Sequence, residues 1–143
     1  MQVVVHSRSK ARKFYIEQLS KFYVECLNLH RSRKTVTVYT VPHMNKTRGM
    51  LGCAVRDGDN VAVLIDSGLS YSKTLITLAH EFVHVKQLAL GQLRALKKYD
   101  ASKWVWCGRV YENNDYFSPW EDEAYTREHE LAALAMDRIQ QLA

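Results

Sequence analysis

The sequence predicts an α+β fold in which a small three-stranded sheet packs against an N-terminal helix, a central helix and a C-terminal helix. Three observations support this prediction: a long apolar segment with helical periodicity in the middle of the chain, β-branched segments before it, and apolar residues at helical spacing near the end. The 143 residues include only two prolines and six glycines. We therefore expect one domain over residues 1–143, with one core and one cleft.

The N-terminal segment predicts a basic helix over residues 10–30. Its apolar side chains recur close enough to helical spacing to pack on the core: Phe14, Ile16, Leu19, Phe22, Tyr23, Cys26 and Leu27. Residues 1–34 hold eight Lys or Arg against two Glu, giving a charge of +6, while residues 35–143 hold twelve against thirteen, giving −1. We expect the basic face to be solvated; a surface for nucleic acid or an acidic partner is the alternative.

Three segments between residues 35 and 66 predict the sheet. Residues 35–41 are rich in β-branched side chains and stop at Pro42, and residues 50–55 and 61–66 flank a stretch of turn-forming residues. Either the second or the third of these strands could be the sheet edge beside the central helix. Residues 103–111, followed by Tyr116, predict a second hairpin that forms the other wall of the cleft.

Residues 69–90 predict a buried central helix, with Ser70 or Ser72 as N-cap and Gly91 at its end. Because side chains four residues apart share a helix face, His80 and His84 can reach one metal ion. A helix that is apolar nearly all round is buried, and two buried histidines need partners. A pair of hydrogen-bonded core histidines is the alternative to a metal site.

Glu81 strengthens the metal interpretation, since it completes the motif His80-Glu81-Phe82-Val83-His84. A glutamate next to the first histidine can accept a proton from a water molecule that attacks a carbonyl group. A purely structural site needs no such base. The sequence therefore predicts one zinc ion per chain and a general base at Glu81.

A catalytic zinc needs a third protein ligand, and helical geometry favours Glu121. Residues 85–91 contain no histidine, cysteine or acid, whereas an acidic cluster opens the last predicted helix. At 100° per residue, Glu121 and Glu128 fall on the inward stripe, while Glu123 points outward. The inward stripe is defined by Leu131, Ala132, Ala135, Ile139 and Leu142.

Simpler interpretations of these acids stay open. Ser118 as N-cap, Pro119 at the first helical position and Glu121 at the third would form a capping box without any metal. Glu128 is either a partner that orients a histidine or a surface carboxylate. Cys107 is a fallback ligand, although we expect all three cysteines to be free thiols.

These motifs resemble the gluzincin metallopeptidases, and most closely the small single-domain minigluzincin and SprT-like proteins of phages and bacteria. The resemblance covers about residues 35–139 and rests on the H-E-x-x-H motif with Gln87, the apolar strand before it, and Pro119-Trp120-Glu121-x-x-Ala124. It implies a zincin-like fold with an active-site central helix and a ligand-bearing C-terminal helix.

The resemblance also implies roles for single residues. His80, His84 and Glu121 would bind Zn²⁺, and Glu81 would be the base. Many gluzincins place an aspartate four residues after the ligand glutamate to steady a histidine, whereas this chain has Tyr125. The candidates for that supporting role are Gln87, Glu128 and Tyr125.

From these observations we expect a zinc metallopeptidase that hydrolyses peptide bonds, with a peptide or protein as substrate. An amide in cell-wall peptide is a second substrate class, and a non-catalytic zinc-stabilised interaction domain is a different function.

The start of the chain has only three consecutive valines before charges begin, so we expect no signal peptide and no membrane span. The expected compartment is the cytoplasm, or the host cytoplasm if a phage encodes the chain. Tyr111, Tyr116 and Tyr125 are conceivable oxyanion donors, and none is assigned.

Overall fold

The computed structural model describes residues 1–98, 100–112 and 118–142. It confirms a mixed α+β chain with small sheets. Its elements follow one another in this order: β1 Gln2–His6, α1 Lys10–Cys26, β2 Thr35–Val41, α2 Met44–Arg48, β3 Gly52–Asp57, β4 Asn60–Asp66, α3 Tyr71–Ala89, β5 Leu93–Lys97, β6 Asp100–Trp106, β7 Arg109–Glu112 and α4 Pro119–Leu142.

The first sheet has four strands in the order β1-β2-β4-β3, so the prediction of three was wrong. The missing strand is β1, which runs parallel to β2 from Gln2 opposite Thr35 to His6 opposite Tyr39. Its short run of valines carries little signal alone, because a parallel strand depends on a neighbour that lies about thirty residues away. Strand β2 occupies the predicted residues 35–41.

Strand β3 forms one edge of this sheet, so the second predicted strand, and not the third, is the sheet edge beside the central helix. It pairs antiparallel with β4 through a two-residue turn between Asp57 and Asn60, where Gly58 has a φ of +60°. A glycine suits that left-handed position because it has no Cβ. Strand β4 is therefore interior, between β2 and β3, and its Val61, Val63 and Ile65 are buried.

The second sheet has three antiparallel strands in the order β5-β6-β7. The predicted hairpin corresponds to β6 and β7, while β5 was missed and Tyr116 lies outside the described residues. Trp104, Trp106 and Tyr111 of this sheet place their rings 5.9–6.5 Å from the ring of Trp120 at the start of α4. This aromatic cluster joins the second sheet to the helix that carries Glu121.

Helix α1 is shorter than predicted and presents a partly different face. It ends at Cys26, because Asn28 takes a left-handed φ of +57°. Phe14, expected in the core, is 64% exposed. Arg12 lies on the inward stripe instead, one turn before the buried Ile16. Its Nη1 donates to the Leu69 carbonyl oxygen at 2.9 Å and to Thr74 Oγ1 at 3.2 Å. The expectation of a fully solvated basic face was therefore wrong for Arg12.

Helix α3 contacts α1, α4, β3 and β4 and lies at the centre of a single hydrophobic core. Tyr23 of α1 donates a hydrogen bond to the Leu75 carbonyl oxygen at 2.8 Å, and Phe82 is fully buried. On α4 the predicted inward residues Leu131, Ala132 and Ala135 are buried, whereas Ile139 is 38% exposed. The side chain of Leu142 lies outside the described part of the chain. Among the described residues, no helix is both long and apolar enough to cross a bilayer.

Candidate metal centre

The histidine-bearing helix begins and ends where its capping residues predict. Ser70 is the N-cap, with its hydroxyl accepting from the Lys73 backbone N–H at 3.2 Å, and the helix runs from Tyr71 to Ala89. Most of its side chains from Leu78 to Leu88 are buried, including Glu81, His84 and Gln87. His84, Lys86 and Gln87 contact α4, which is the helix that α3 contacts most extensively.

Three side chains from α3 and α4 converge on one point. His84 Nε2 lies 3.2 Å from His80 Nε2 and 2.8 Å from Glu121 Oε1, and Glu121 Oε2 lies 3.3 Å from His80 Nε2. Two ligand atoms on a tetrahedral zinc stand roughly 3.3 Å apart, given bond lengths of about 2.0–2.1 Å. These three groups form the one such metal-binding set of His, Cys, Asp and Glu found in residues 1–98, 100–112 and 118–142.

The other ring nitrogen of each histidine has its own partner. His80 Nδ1 lies 2.8 Å from Glu128 Oε2, and His84 Nδ1 lies 2.8 Å from Gln87 Oε1. A carboxylate and an amide oxygen can only accept, so each Nδ1 must carry the proton and donate. In the neutral ring, each Nε2 then presents a lone pair to the point where Glu121 also arrives.

The chemistry of this donor set suits a cation. Two bare Nε2 atoms and a carboxylate repel one another at these distances unless a proton or a metal ion lies between them. Burial acts to lower the pKa of His80 and His84, but the hydrogen bonds that Glu121 accepts from them and the charges of Glu81 and Glu121 raise the pKa of both above the usual value. Two imidazole nitrogens and one carboxylate oxygen are ligand types that Zn²⁺ takes, and each imidazole ring is held by a partner at its other nitrogen.

The side chain of Glu121 does not take part in a capping box at the start of α4. Ser118 Oγ is buried and has no hydrogen-bond partner among the described residues, so the predicted capping box does not form. The Glu121 carboxylate instead contacts both histidines. Burial would raise its pKa, but the hydrogen bonds from His80 and His84 and their charges lower the pKa to about 2. The carboxylate is therefore ionised and available as a ligand.

Glu81 lies beside this cluster in a drier environment. It is only 6% exposed, and burial raises its pKa to about 7, against the opposing influence of the charges of His84 and His80. A pKa near neutrality suits a group that must take up a proton in one step and release it in the next. Its neighbour across the interface is Gly52, the first residue of the edge strand β3.

Gly52 sets how closely β3 approaches this glutamate. A methyl group at residue 52 would lie 3.1 Å from the Leu64 carbonyl oxygen, 3.1 Å from Thr77 Cγ2 and 3.2 Å from Glu81 Cγ. These separations are shorter than ordinary van der Waals contacts, and a backbone carbonyl cannot move aside cheaply. The absence of a side chain therefore lets the sheet edge and Glu81 lie in contact.

We expect Gly52→Ala to lower peptide hydrolysis by about tenfold to 100-fold while zinc content stays at the parental level, because it displaces Glu81 or β3 and leaves the metal-binding groups in place. Steady-state rates measured together with metal analysis would check this. Parental hydrolysis in Gly52→Ala would show that the close approach has no bearing on the chemistry.

The structure places Glu123 in the site region, which contradicts the predicted outward orientation. Glu123 Oε2 lies 2.8 Å from Lys86 Nζ, and Glu123 Oε1 accepts from Gln87 Nε2 at 2.9 Å. The prediction took the inward stripe only from residues late in α4. Trp120 and Ala124 are buried as well, and Glu123 stands roughly 60° from Trp120 around the helix. With Trp120 and Ala124 included, the inward face of α4 extends toward Glu123.

The remaining candidate site residues differ in what they contact. The ring of Tyr125 lies 4.7 Å from the His80 ring, while Tyr111 packs against Trp120. Glu128 Oε2 bonds His80 Nδ1, so a supporting carboxylate comes seven residues after Glu121. Cys107 is an exposed free thiol in the β6–β7 turn and does not belong to the metal-binding set.

Comparisons with known proteins give no independent identification. The chain matches no family model, no curated protein and no solved structure. The resemblance to gluzincins therefore stays a prediction from the motifs. The functional argument depends on the geometry of the site itself.

Proposed function

We propose that this chain is a zinc-dependent metallopeptidase of the gluzincin type with a zincin-like fold. The observation that carries the proposal is the convergence of His80 Nε2, His84 Nε2 and the Glu121 carboxylate on one point while both Nδ1 atoms are engaged elsewhere. Three ligands leave one position for water or substrate, which is the arrangement of catalytic zinc sites.

When bound, zinc would polarise the scissile carbonyl and lower the pKa of a water molecule. Glu81 would take the proton from the attacking water and deliver it to the leaving amine, and its raised pKa supports both steps. Glu128 and Gln87 would hold the two imidazole rings and supply the acceptors for their Nδ1 protons.

The edge strand β3 supports a peptide as substrate. In residues 52–57 one side of the strand pairs with β4, and the strand begins in contact with Glu81. An extended peptide can add to such an edge through backbone hydrogen bonds, which bring a scissile bond toward the base without requiring a particular sequence.

The free thiols Cys26, Cys53 and Cys107 support a reducing compartment, and we propose the cytoplasm.

Metal analysis combined with a peptide-library screen tests this function. We expect one zinc ion per chain and cleavage of unmodified peptides that stops with a chelator and returns with Zn²⁺. A parallel screen of cell-wall peptides separates the second substrate class. A chain that binds no zinc at a millimolar concentration of the metal would contradict the proposal.

A non-catalytic interaction domain is the second candidate, because residues 1–34 carry a charge of +6. Such a domain could dock nucleic acid through the exposed lysines of α1, Lys10, Lys13 and Lys21. The buried Glu81 beside the metal-binding set favours the enzyme. An interaction domain gains nothing from a desolvated carboxylate at that position.

Neutralising these lysines separates the two candidates. We expect Lys10→Gln, Lys13→Gln and Lys21→Gln together to change the free energy of unfolding by at most about 0.5 kcal/mol and to leave hydrolysis intact, since exposed charges contribute little. Arg12→Gln should cost about 1–3 kcal/mol, because its hydrogen bonds to α3 are lost. Denaturant unfolding measures both. If the parent bound DNA with a steep salt dependence that the triple variant lost, the interaction domain would be favoured.

A further inference from the structure

The orientation of His84 depends on a buried hydrogen-bonded chain that reaches beyond its immediate partner. Gln87 is fully buried between α3 and α4. Its Nε2 donates to the Trp120 carbonyl oxygen at 2.9 Å and to Glu123 Oε1 at 2.9 Å, and its Oε1 lies 2.8 Å from His84 Nδ1. All three polar contacts of this amide are therefore made within the protein.

The groups beside Nε2 decide which way the amide points. A backbone carbonyl and a carboxylate only accept hydrogen bonds, so the NH₂ end of Gln87 must face Trp120 and Glu123. The oxygen end must then face His84, and it can only accept. His84 Nδ1 is thereby required to carry the proton, which leaves Nε2 as the free lone pair at the metal-binding point.

Glu123 is itself held by a buried cation. Lys86 Nζ lies 2.8 Å from Glu123 Oε2, and Lys86 is 8% exposed. Lys86 Nζ and Gln87 Nε2 therefore both donate to the Glu123 carboxylate, one to each oxygen. Lys86 and Glu123 come from different helices, so their contact also joins α3 to α4.

We propose that Lys86 and Glu123 are positioning residues for the metal centre: they hold the Gln87 amide in the orientation that makes His84 present Nε2 to the metal. This inference rests on the proposed function. His80 needs no such chain, since Glu128 contacts its Nδ1 directly. The two histidines are therefore supported independently, and His80 provides an internal control.

Two double variants test the proposal. Lys86→Met/Glu123→Leu removes the ion pair without leaving a buried charge alone, which protects the fold. Lys86→Met/Glu123→Gln also removes the charges but keeps an acceptor oxygen at residue 123. We expect zinc affinity, measured by competition with a chelator, to fall about tenfold in the Leu variant and to stay within about twofold of the parent in the Gln variant. Lys86→Ala/Glu123→Ala replaces the Leu variant if that one folds poorly.

A spectroscopic measurement follows the tautomer itself. In the zinc-loaded parent, the ring N–H protons of His80 and His84 should both be resolved by NMR, because both are hydrogen-bonded and the two side chains are only 13% and 11% exposed. The Leu variant should lose the His84 Nδ1 proton signal through exchange with water and keep that of His80. A contact that only tied the helices together would change melting temperature and leave both signals in place.

A third comparison uses Gln87→Met as background. Because Lys86 and Glu123 act through Gln87, adding Lys86→Met/Glu123→Leu to Gln87→Met should cause no further loss of zinc affinity. Additive losses would overturn the inference. Parental zinc affinity together with a parental His84 signal in the Leu variant would overturn it as well. Metal-dependent peptide cleavage by the parent would in either case leave the proposed function standing. A parent that binds no zinc would overturn both.

Discussion

Glu81→Gln should abolish most peptide hydrolysis while leaving the metal centre assembled. The substitution keeps the size of the side chain but removes the proton acceptor, and general-base removal costs about 10²-fold to 10⁴-fold in rate. Both histidines and Glu121 are untouched, and a neutral amide is no harder to bury than a carboxylate at a 6% exposed position. Zinc content and melting temperature should therefore stay close to those of the parent.

The measurement is cleavage of a peptide that the parent hydrolyses, followed with equal amounts of zinc-loaded protein. A chelator control shows that the remaining cleavage depends on metal. Hydrolysis by Glu81→Gln at the parental rate would rule out the mechanism, because the mechanism assigns proton acceptance to Glu81 alone. Loss of zinc in this variant would instead show that Glu81 has a structural role.

Glu121→Ala should lose zinc, and Asp122→Ala should keep it. Glu121 Oε1 and Oε2 lie 2.8 Å and 3.3 Å from the two Nε2 atoms, so removing the carboxylate leaves two ligands out of three. We expect zinc affinity to fall at least about 100-fold, more than the loss typical of a supporting residue. Asp122 is exposed in the same first turn of α4 and has the same favourable interaction with the helix dipole.

This pair of variants separates a ligand from an acid that only suits the helix start. Asp122 is a better control than Glu123, because Glu123 bonds Gln87 and so reaches the site indirectly. Metal analysis after dialysis and competition with a chelator would give the two affinities. Equal zinc retention in Glu121→Ala and Asp122→Ala would show that Glu121 is not a ligand.

Local patterns were sufficient for the elements whose structure depends on near neighbours in the chain. The β-branched run at residues 35–41 forms β2 over those residues, the glycine-containing turn forms the β3–β4 hairpin, and Ser70 caps α3. The i, i+4 spacing of His80 and His84 is a property of any α-helix, so their proximity needed no tertiary information. Helical periodicity also placed Glu121 and Glu128 on the side of α4 that faces α3.

Contacts between distant segments decided what local patterns left open. Strand β1 forms only because β2 lies beside it, and Arg12 is drawn inward by acceptors at the start of α3. Glu123 was misplaced for the same reason. A helical wheel orders residues around one axis, but the rotation of α4 against α3 determines which side of its first turn meets Lys86 and Gln87.

The sequence by itself determined the chemistry that this protein carries: two imidazoles on one helix face, a carboxylate next to the first, and an acidic turn opening a later helix. These follow from residue type and helical spacing, which are local. Only the tertiary structure decided that β3 is the sheet edge beside Glu81. It also decided that Glu128 and Gln87 fix the tautomers of His80 and His84, and that the Glu121 carboxylate contacts the two histidines instead of forming a capping box with Ser118. These outcomes depend on how α3, α4 and the sheet pack, because hydrogen bonds across more than thirty residues form only where packing brings donor and acceptor within about 3 Å.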